Sequence, residues 1–141
     1  MKSLLFLLFL PPLLAINYDF LHYSSNYQNA LKKAAHSDKM LMLVLVQDHC
    51  PWCSQLAKVT LTQKKIKKKI QEEFIPILLN KNSDFIPQKY STKFIPSIYF
   101  INPFEDEEVW RSSGYHDSKE LLTTFKKALQ SFKEDIADDM E

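Results

Sequence analysis

The two cysteines of this chain stand together in Cys50-Pro51-Trp52-Cys53, a few residues after Met40 to Val46, a run without one polar side chain. An unbroken apolar run of this length suits a strand covered on both faces of a sheet. The residues from Pro51 onward can open a helix, because proline at the first helical position has a preset φ and no N–H to waste. A strand, a short turn and a helix start, with a thiol pair at the turn, leave few folds open. They also bring both sulfurs within reach of one another, so the pair can cycle between dithiol and disulfide.

The chemistry needs this spacing. A helix start leaves backbone N–H groups unpaired and carries a partial positive charge. Cys50 at the N-cap would have its thiolate stabilised there and would be the attacking group, while Cys53, one turn on and more buried, would resolve the mixed disulfide. Two other readings stay open on the residues alone. A structural disulfide closing so short a loop would staple almost nothing. Half of a zinc site would need two further ligands, and only His49 and His36 are near. A redox pair is the leading reading, and no metal or cofactor is expected.

Composition bounds the rest. A chain of 141 residues, with net charge +1, holds one small domain and offers nothing that points to nucleic acid. Lys2 followed by the apolar run Leu4 to Leu14 and the small Ala15 reads as an export signal over 1–15, with an uncleaved membrane tether as the alternative. Residues 16–133 would form the domain and 134–141 an acidic flexible tail. Export places the thiols in an oxidising compartment, periplasmic or secreted, where a reactive pair needs an outside electron donor or acceptor. No repeat, phosphate loop or paired catalytic carboxylates appear.

The remaining segments alternate. Helices are expected over Tyr27 to His36, over Pro51 to about Glu73 with a break near Thr60–Thr62, over Ser83 to Tyr90, and over Ser118 to Phe132 with Leu121, Leu122, Phe125 and Leu129 inward. Strands are expected at Met40 to Val46, Phe74 to Leu79, Ser97 to Ile101, and at Glu107 to Arg111 as an edge. The fold class is α/β, a central mixed sheet with helices on both faces and the Met40–Val46 strand inside it.

With these landmarks the chain resembles the thioredoxin superfamily, most of all its exported thioredoxin-like members that begin with a helix. The likeness covers roughly Tyr27 to Leu129. It rests on the cysteine pair after its strand, on Phe94-Ile95-Pro96-Ser97, and on Trp110-Arg111-Ser112-Ser113-Gly114-Tyr115. The second matches the family's cis-proline turn and the third its glycine turn before the last helix. The resemblance implies that Pro96 faces the sulfurs, that the backbone of Ile95 pairs with an extended substrate, and that Trp52 is exposed and shapes the substrate surface. A cis X–Pro bond is rare and usually kept for a tight turn.

Departures from the family matter for mechanism. Val44 stands where thioredoxin carries a buried acid. Asp48 is expected on the exposed turn as a solvated residue. His49 replaces the family's tryptophan before the first cysteine; protonated, it would favour the Cys50 thiolate, so His49 and Pro51 are the candidate modulators. His22, His36 and His116 default to the surface, and the lysines between Lys58 and Lys69 read as a solvated helix face or a docking site for an acidic partner.

The expected activity is thiol–disulfide exchange, leaning to reduction of disulfides in exported proteins, with Cys50 and Cys53 as the catalytic pair. A disulfide oxidase or isomerase is an alternative, as is a thioredoxin-fold binding or chaperone-like module without turnover. Cys-Pro-aromatic-Cys also suggests a glutaredoxin, but the glutathione-site signature is missing. Partners would be protein thiols and disulfides and a membrane redox protein, and the chain would be a monomer.

Overall fold

The structure, a computed structural model, describes residues 17–138. The signal segment expected over 1–15 lies outside the described residues. Four helices and four strands follow in order: α1 Tyr27–His36, β1 Met40–Val46, α2 Pro51–Gln55, α3 Lys64–Glu73, β2 Phe74–Asn80, β3 Ser97–Asn102, β4 Glu107–Ser113 and α4 Ser118–Asp138. Short 3-10 turns sit at Asp19–Leu21 and Gln88–Tyr90.

The sheet has the order β2-β1-β3-β4, with β1 parallel to β2 and antiparallel to β3, and β3 antiparallel to β4. All seven residues of β1 are buried, because the strand is interior and both its faces are covered. Its alternation divides the core. Met40, Met42, Val44 and Val46 face a cluster with both cysteines, Leu56, Ile66, Ile70 and Phe125. Leu41, Leu43 and Leu45 face Ala30 and Ala34 of α1, with Tyr90 and Tyr99. A mixed sheet with helices on both faces is therefore what the chain builds.

β2 is an edge strand, and that is why Pro76 is tolerated inside it. Its free side is partly occupied by the chain before α1, where the Leu78 N–H donates to the Ser24 carbonyl at 3.0 Å.

Two expectations are corrected. Ser83 to Tyr90 is not a helix, apart from the turn Gln88–Tyr90. The Asp84 carboxylate accepts from the Asn80 N–H at 2.7 Å, and such local side-chain bonds compete with helix. Pro87 then biases Ile86 to extended backbone. At the other end α4 continues to Asp138, well into the segment expected to be flexible. Ile136 packs on the core below Phe132, and the Asn102 amide donates to the Asp135 carboxylate at 2.7 Å.

Candidate active site

Cys50 is the N-cap of α2, with extended backbone, and Pro51 is at the start of the helix. The Cys53 N–H donates to Cys50 Sγ at 3.2 Å. A donor aimed at this sulfur stabilises negative charge on it. Cys50 and Cys53 are joined as a disulfide. Cys53 is 0% exposed and Cys50 6%, so only the Cys50 side of the bond has any opening to solvent.

After Gln55 the helix widens into a π turn, Leu56–Thr60, before Gln63 caps α3 with extended backbone. Here lies the break expected near Thr60–Thr62. The widening leaves Val59 half exposed, and a shallow, mostly apolar groove runs from His49 past Cys50 and Pro51 to Val59.

Pro96 is buried, at the end of the sheet where Ser97 stands opposite Leu45. The Ile95–Pro96 peptide is cis. Ile95 packs against the cluster that holds both cysteines. Phe94 beside it is 71% exposed.

The turn at Ser113–Asp117 joins these pieces. The Gly114 N–H donates to the Pro96 carbonyl at 2.7 Å, with Gly114 at φ +88, a value that favours glycine. The buried Thr60 hydroxyl donates to the His116 carbonyl at 2.8 Å. The Tyr115 ring lies 5.6 Å from that of Trp52, tilted by 35°. Trp52, exposed as the resemblance implies, is thus propped by a residue that nothing in the spacing indicates. Tyr115 is the site residue that sequence reasoning missed, and its position just after the lone glycine is the only signal it carries.

The other candidates divide. His49 has left-handed backbone, φ +54, and an exposed side chain. Asp48 is not the solvated turn residue expected. It is half-buried, its carboxylate accepts from the Asn80 amide at 2.8 Å, and its N–H donates to Asn82 Oδ1 at 2.8 Å. Burial, and next the Asp48 charge, holds the Tyr18 hydroxyl above the ordinary tyrosine range. His116, expected as a bare surface residue, bonds through Nε2 to the Ser112 hydroxyl and lies 3.8 Å from Glu120. No group of three or more His, Cys, Asp or Glu among the described residues could hold a metal.

Comparison with known proteins now decides the family. The model of a thioredoxin-like domain matches residues 27–129. The chain belongs to the thioredoxin-like family. It is 30% identical over 129 residues to anterior gradient protein 2 homolog from Homo sapiens, covering 84% of this chain and 72% of that one. Among solved structures it is similar to a thioredoxin from Thermus thermophilus, with TM-score 0.67 and 21% identity over 78% of this chain and 88% of that one. The oxidised C-terminal domain of DsbD from Neisseria meningitidis matches with TM-score 0.59 and 18% identity, over 75% of this chain and 98% of that one. These structural likenesses carry the fold; the cysteine spacing, on that fold, points to thiol–disulfide oxidoreductases.

Proposed function

We propose that the protein is a thiol–disulfide oxidoreductase that reduces disulfides of exported proteins, with Cys50 attacking and Cys53 resolving. The observation that carries the reading is the Cys53 N–H aimed at Cys50 Sγ, 3.2 Å away at the helix cap. In the reduced protein the Cys50 thiolate attacks one sulfur of a substrate disulfide. The substrate S–S bond breaks, a mixed disulfide forms, and the first substrate thiolate leaves. The Cys53 thiolate then attacks Cys50 Sγ, restores the Cys50–Cys53 disulfide and releases the second substrate thiolate. The substrate gains two electrons and the protein loses two. An outside dithiol, which we place on a membrane redox protein, must return them.

The other residues act around that exchange. The backbone of Ile95, before Pro96, pairs with the substrate as a short added strand. Trp52 forms part of the surface the substrate meets. His49 and Pro51 bias Cys50 to thiolate, Pro51 by fixing the helix start and His49 by its charge when protonated. With Val44 in the place of the family's buried acid, proton transfer from Cys53 falls to water or to substrate.

The apolar N-terminus supports export to an oxidising compartment. The compartment proposed is periplasmic or secreted. No helix among the described residues is long and apolar enough to cross a membrane. A monomer is the working state.

Reduction of insulin by dithiothreitol, followed as turbidity, tests the reading: the native protein accelerates it and Cys50→Ser does not. A Cys50→Ser variant as active as the native protein would sink the proposal. The exposed Trp52, at 57%, and Phe94, at 71%, favour a second reading, a module that holds unfolded chains without turnover. It predicts that the double variant Cys50→Ser, Cys53→Ser still suppresses aggregation of a reduced client.

A further inference from the structure

The charges of α3 run against helix stability. Lysines 64 and 65 stand in its first turn and Glu72 and Glu73 in its last, the reverse of what the helix dipole favours. Lys64–Lys68 and Lys65–Lys69 are like-charge pairs at i,i+4, also unfavourable. The ion pairs Lys68–Glu72, 3.8 Å, and Lys69–Glu73, 2.9 Å, have lysine N-terminal to glutamate, the weaker order. Burial of Ile66 and Ile70 holds the helix in place, so its outward face is free to carry a charge pattern chosen for something else.

Beside that face lies a groove of about 550 Å³ between α3 and α4. Leu122 and Leu129, both half-buried, line it together with Lys126, Gln130 and Lys133 of α4 and with Lys69 and Glu73 of α3, the last two an ion pair at 2.9 Å. Positions 122, 126, 129 and 133 follow one another at steps of four, three and four, a single stripe along the helix. That stripe spans about 16 Å, the length of three helical turns. Three lysines against the one carboxylate of Glu73 leave the lining net positive. None of the groove's lining residues belongs to the groove beside Cys50.

We propose that this groove docks an acidic amphipathic helix of a partner protein, its apolar side chains on Leu122 and Leu129 and its carboxylates on Lys126 and Lys133. A groove lined by leucines and lysines fits a ridge of side chains, the helix-in-groove mode, and not a flat anionic bilayer. Docking here leaves the disulfide open, so partner and redox substrate can be held together.

The test uses the full chain and a fluorescein-labelled helical peptide of Glu and Leu with its leucines on one face, followed by fluorescence anisotropy at about 50 mM and about 200 mM salt. The peptide binds at low salt and more weakly at high salt, and Lys126→Glu with Lys133→Glu weakens binding by about tenfold or more, while Lys32→Glu with Lys33→Glu on α1 leaves it within about twofold. A peptide of the same composition with scattered leucines binds at least about fivefold more weakly. Thermal melting confirms that both variants fold. Any one of four results overturns the proposal: no binding at low salt, equal binding of the scattered peptide, equal loss in the α1 variant, or sedimentation with phosphatidylserine vesicles in place of peptide binding. A dimer in sedimentation equilibrium that Lys126→Glu with Lys133→Glu dissociates assigns the groove to a second copy and overturns it too.

Discussion

Four described residues other than glycine have left-handed backbone, His22, Asp38, His49 and Asp106, and two of them stand in contrast: His49, at φ +54 between β1 and α2, and Asp106, at φ +58 between β3 and β4. They hold that backbone differently. Asp106 is tied down by its own atoms. Its carboxylate accepts from the Tyr27 hydroxyl at 2.5 Å and pairs with Lys89 at 3.0 Å, and its carbonyl accepts from Lys89. His49 is exposed, and its imidazole makes no hydrogen bond among the described residues. Its turn is held by the neighbour Asp48, bonded to Asn80 and Asn82. A left-handed L-residue costs about 1–2 kcal/mol. At Asp106 the side chain offsets that cost. At His49 the side chain is left free in the groove it lines with Cys50, and under the proposed function the contrast sets a fastening against a working surface.

The largest effects separate the two by function. Cys50→Ser abolishes insulin reduction while melting stays close to that of the reduced native protein, and Cys53→Ser accumulates mixed disulfides that non-reducing gels resolve. Asp106→Ala does the opposite. Insulin reduction is unchanged and urea unfolding shows a loss of about 1–2 kcal/mol, chiefly because the buried Tyr27 hydroxyl loses its acceptor. The Lys89–Asp106 pair adds little, since both side chains are more than a third exposed. If Asp106→Ala slowed insulin reduction as much as it lowered stability, the division between fastening and working surface would fail.

Much of this was legible in the sequence, and the reasons differ by element. β1 is a continuous apolar run and β3 has one at Ile98 to Ile101 between Ser97 and Asn102, and such runs are read correctly when both faces are covered. The helix start at Pro51 follows from proline's own geometry. The segment from Ser83 to Tyr90 misled because its composition suits a capped helix, while the deciding bond, from the Asn80 N–H to Asp84, is a local side-chain contact with no periodic signature. The acidic stretch after Phe132 hid the apolar step to Ile136, which continues the inward face of α4. Within the site, both cysteines and Pro96 could be named from spacing and family likeness. Tyr115 could not, because it meets Trp52 across a separation of sixty-three residues, and the same is true of the Asp48–Asn80 bond, which joins the turn after β1 to the end of β2.

A smaller effect is expected where the working surface is itself fastened. Tyr115→Ala removes a ring pair of the kind that contributes about 0.5–1.5 kcal/mol. Insulin reduction should fall roughly two- to tenfold by that measure, and Trp52 fluorescence anisotropy should drop as the indole gains freedom. Reduction of a small aromatic disulfide reagent, which does not reach Trp52, should be unaffected. Tyr115→Phe, keeping the ring, should behave as native. Equal losses in both variants would mean that the 3.5 Å contact of the Tyr115 hydroxyl with Thr60, and not the ring, matters.

Alkaline pH probes the other fastening. Burial, and then the hydrogen bond to Asp106, raises the Tyr27 hydroxyl far above its ordinary value of 10.0, and burial raises Tyr90 as well. These groups stay protonated in the fold where the unfolded chain has lost its protons. Their contribution is therefore complete below pH 10.0 and declines as pH rises above it, for Tyr27 by up to about 1.4 kcal/mol per pH unit. Tyr27→Phe should flatten that slope in urea titrations between about pH 10 and 11. The same slope in the variant would show that Tyr27 is not its source.

The smallest effect sharpens the comparison most, because two substitutions can be made alike. Glycine accepts a left-handed backbone without strain, but it gives the unfolded chain more freedom to lose, about 0.5–1 kcal/mol. In His49→Gly relief and entropy nearly cancel, no bond is lost, and stability should stay within about 0.5 kcal/mol of native. Asp106→Gly relieves the same strain and loses the bonds to Tyr27 and Lys89, so it should be less stable by about 1 kcal/mol or more. The difference between the two in urea unfolding measures what the Asp106 side chain supplies, with the backbone term removed. Equal values would show that the strain at Asp106 is borne by the backbone around it, as at His49. Alkylation of Cys50 after reduction adds the functional half: if the His49 imidazole favours the thiolate, His49→Gly slows labelling at neutral pH by a small factor, and Asp106→Gly does not.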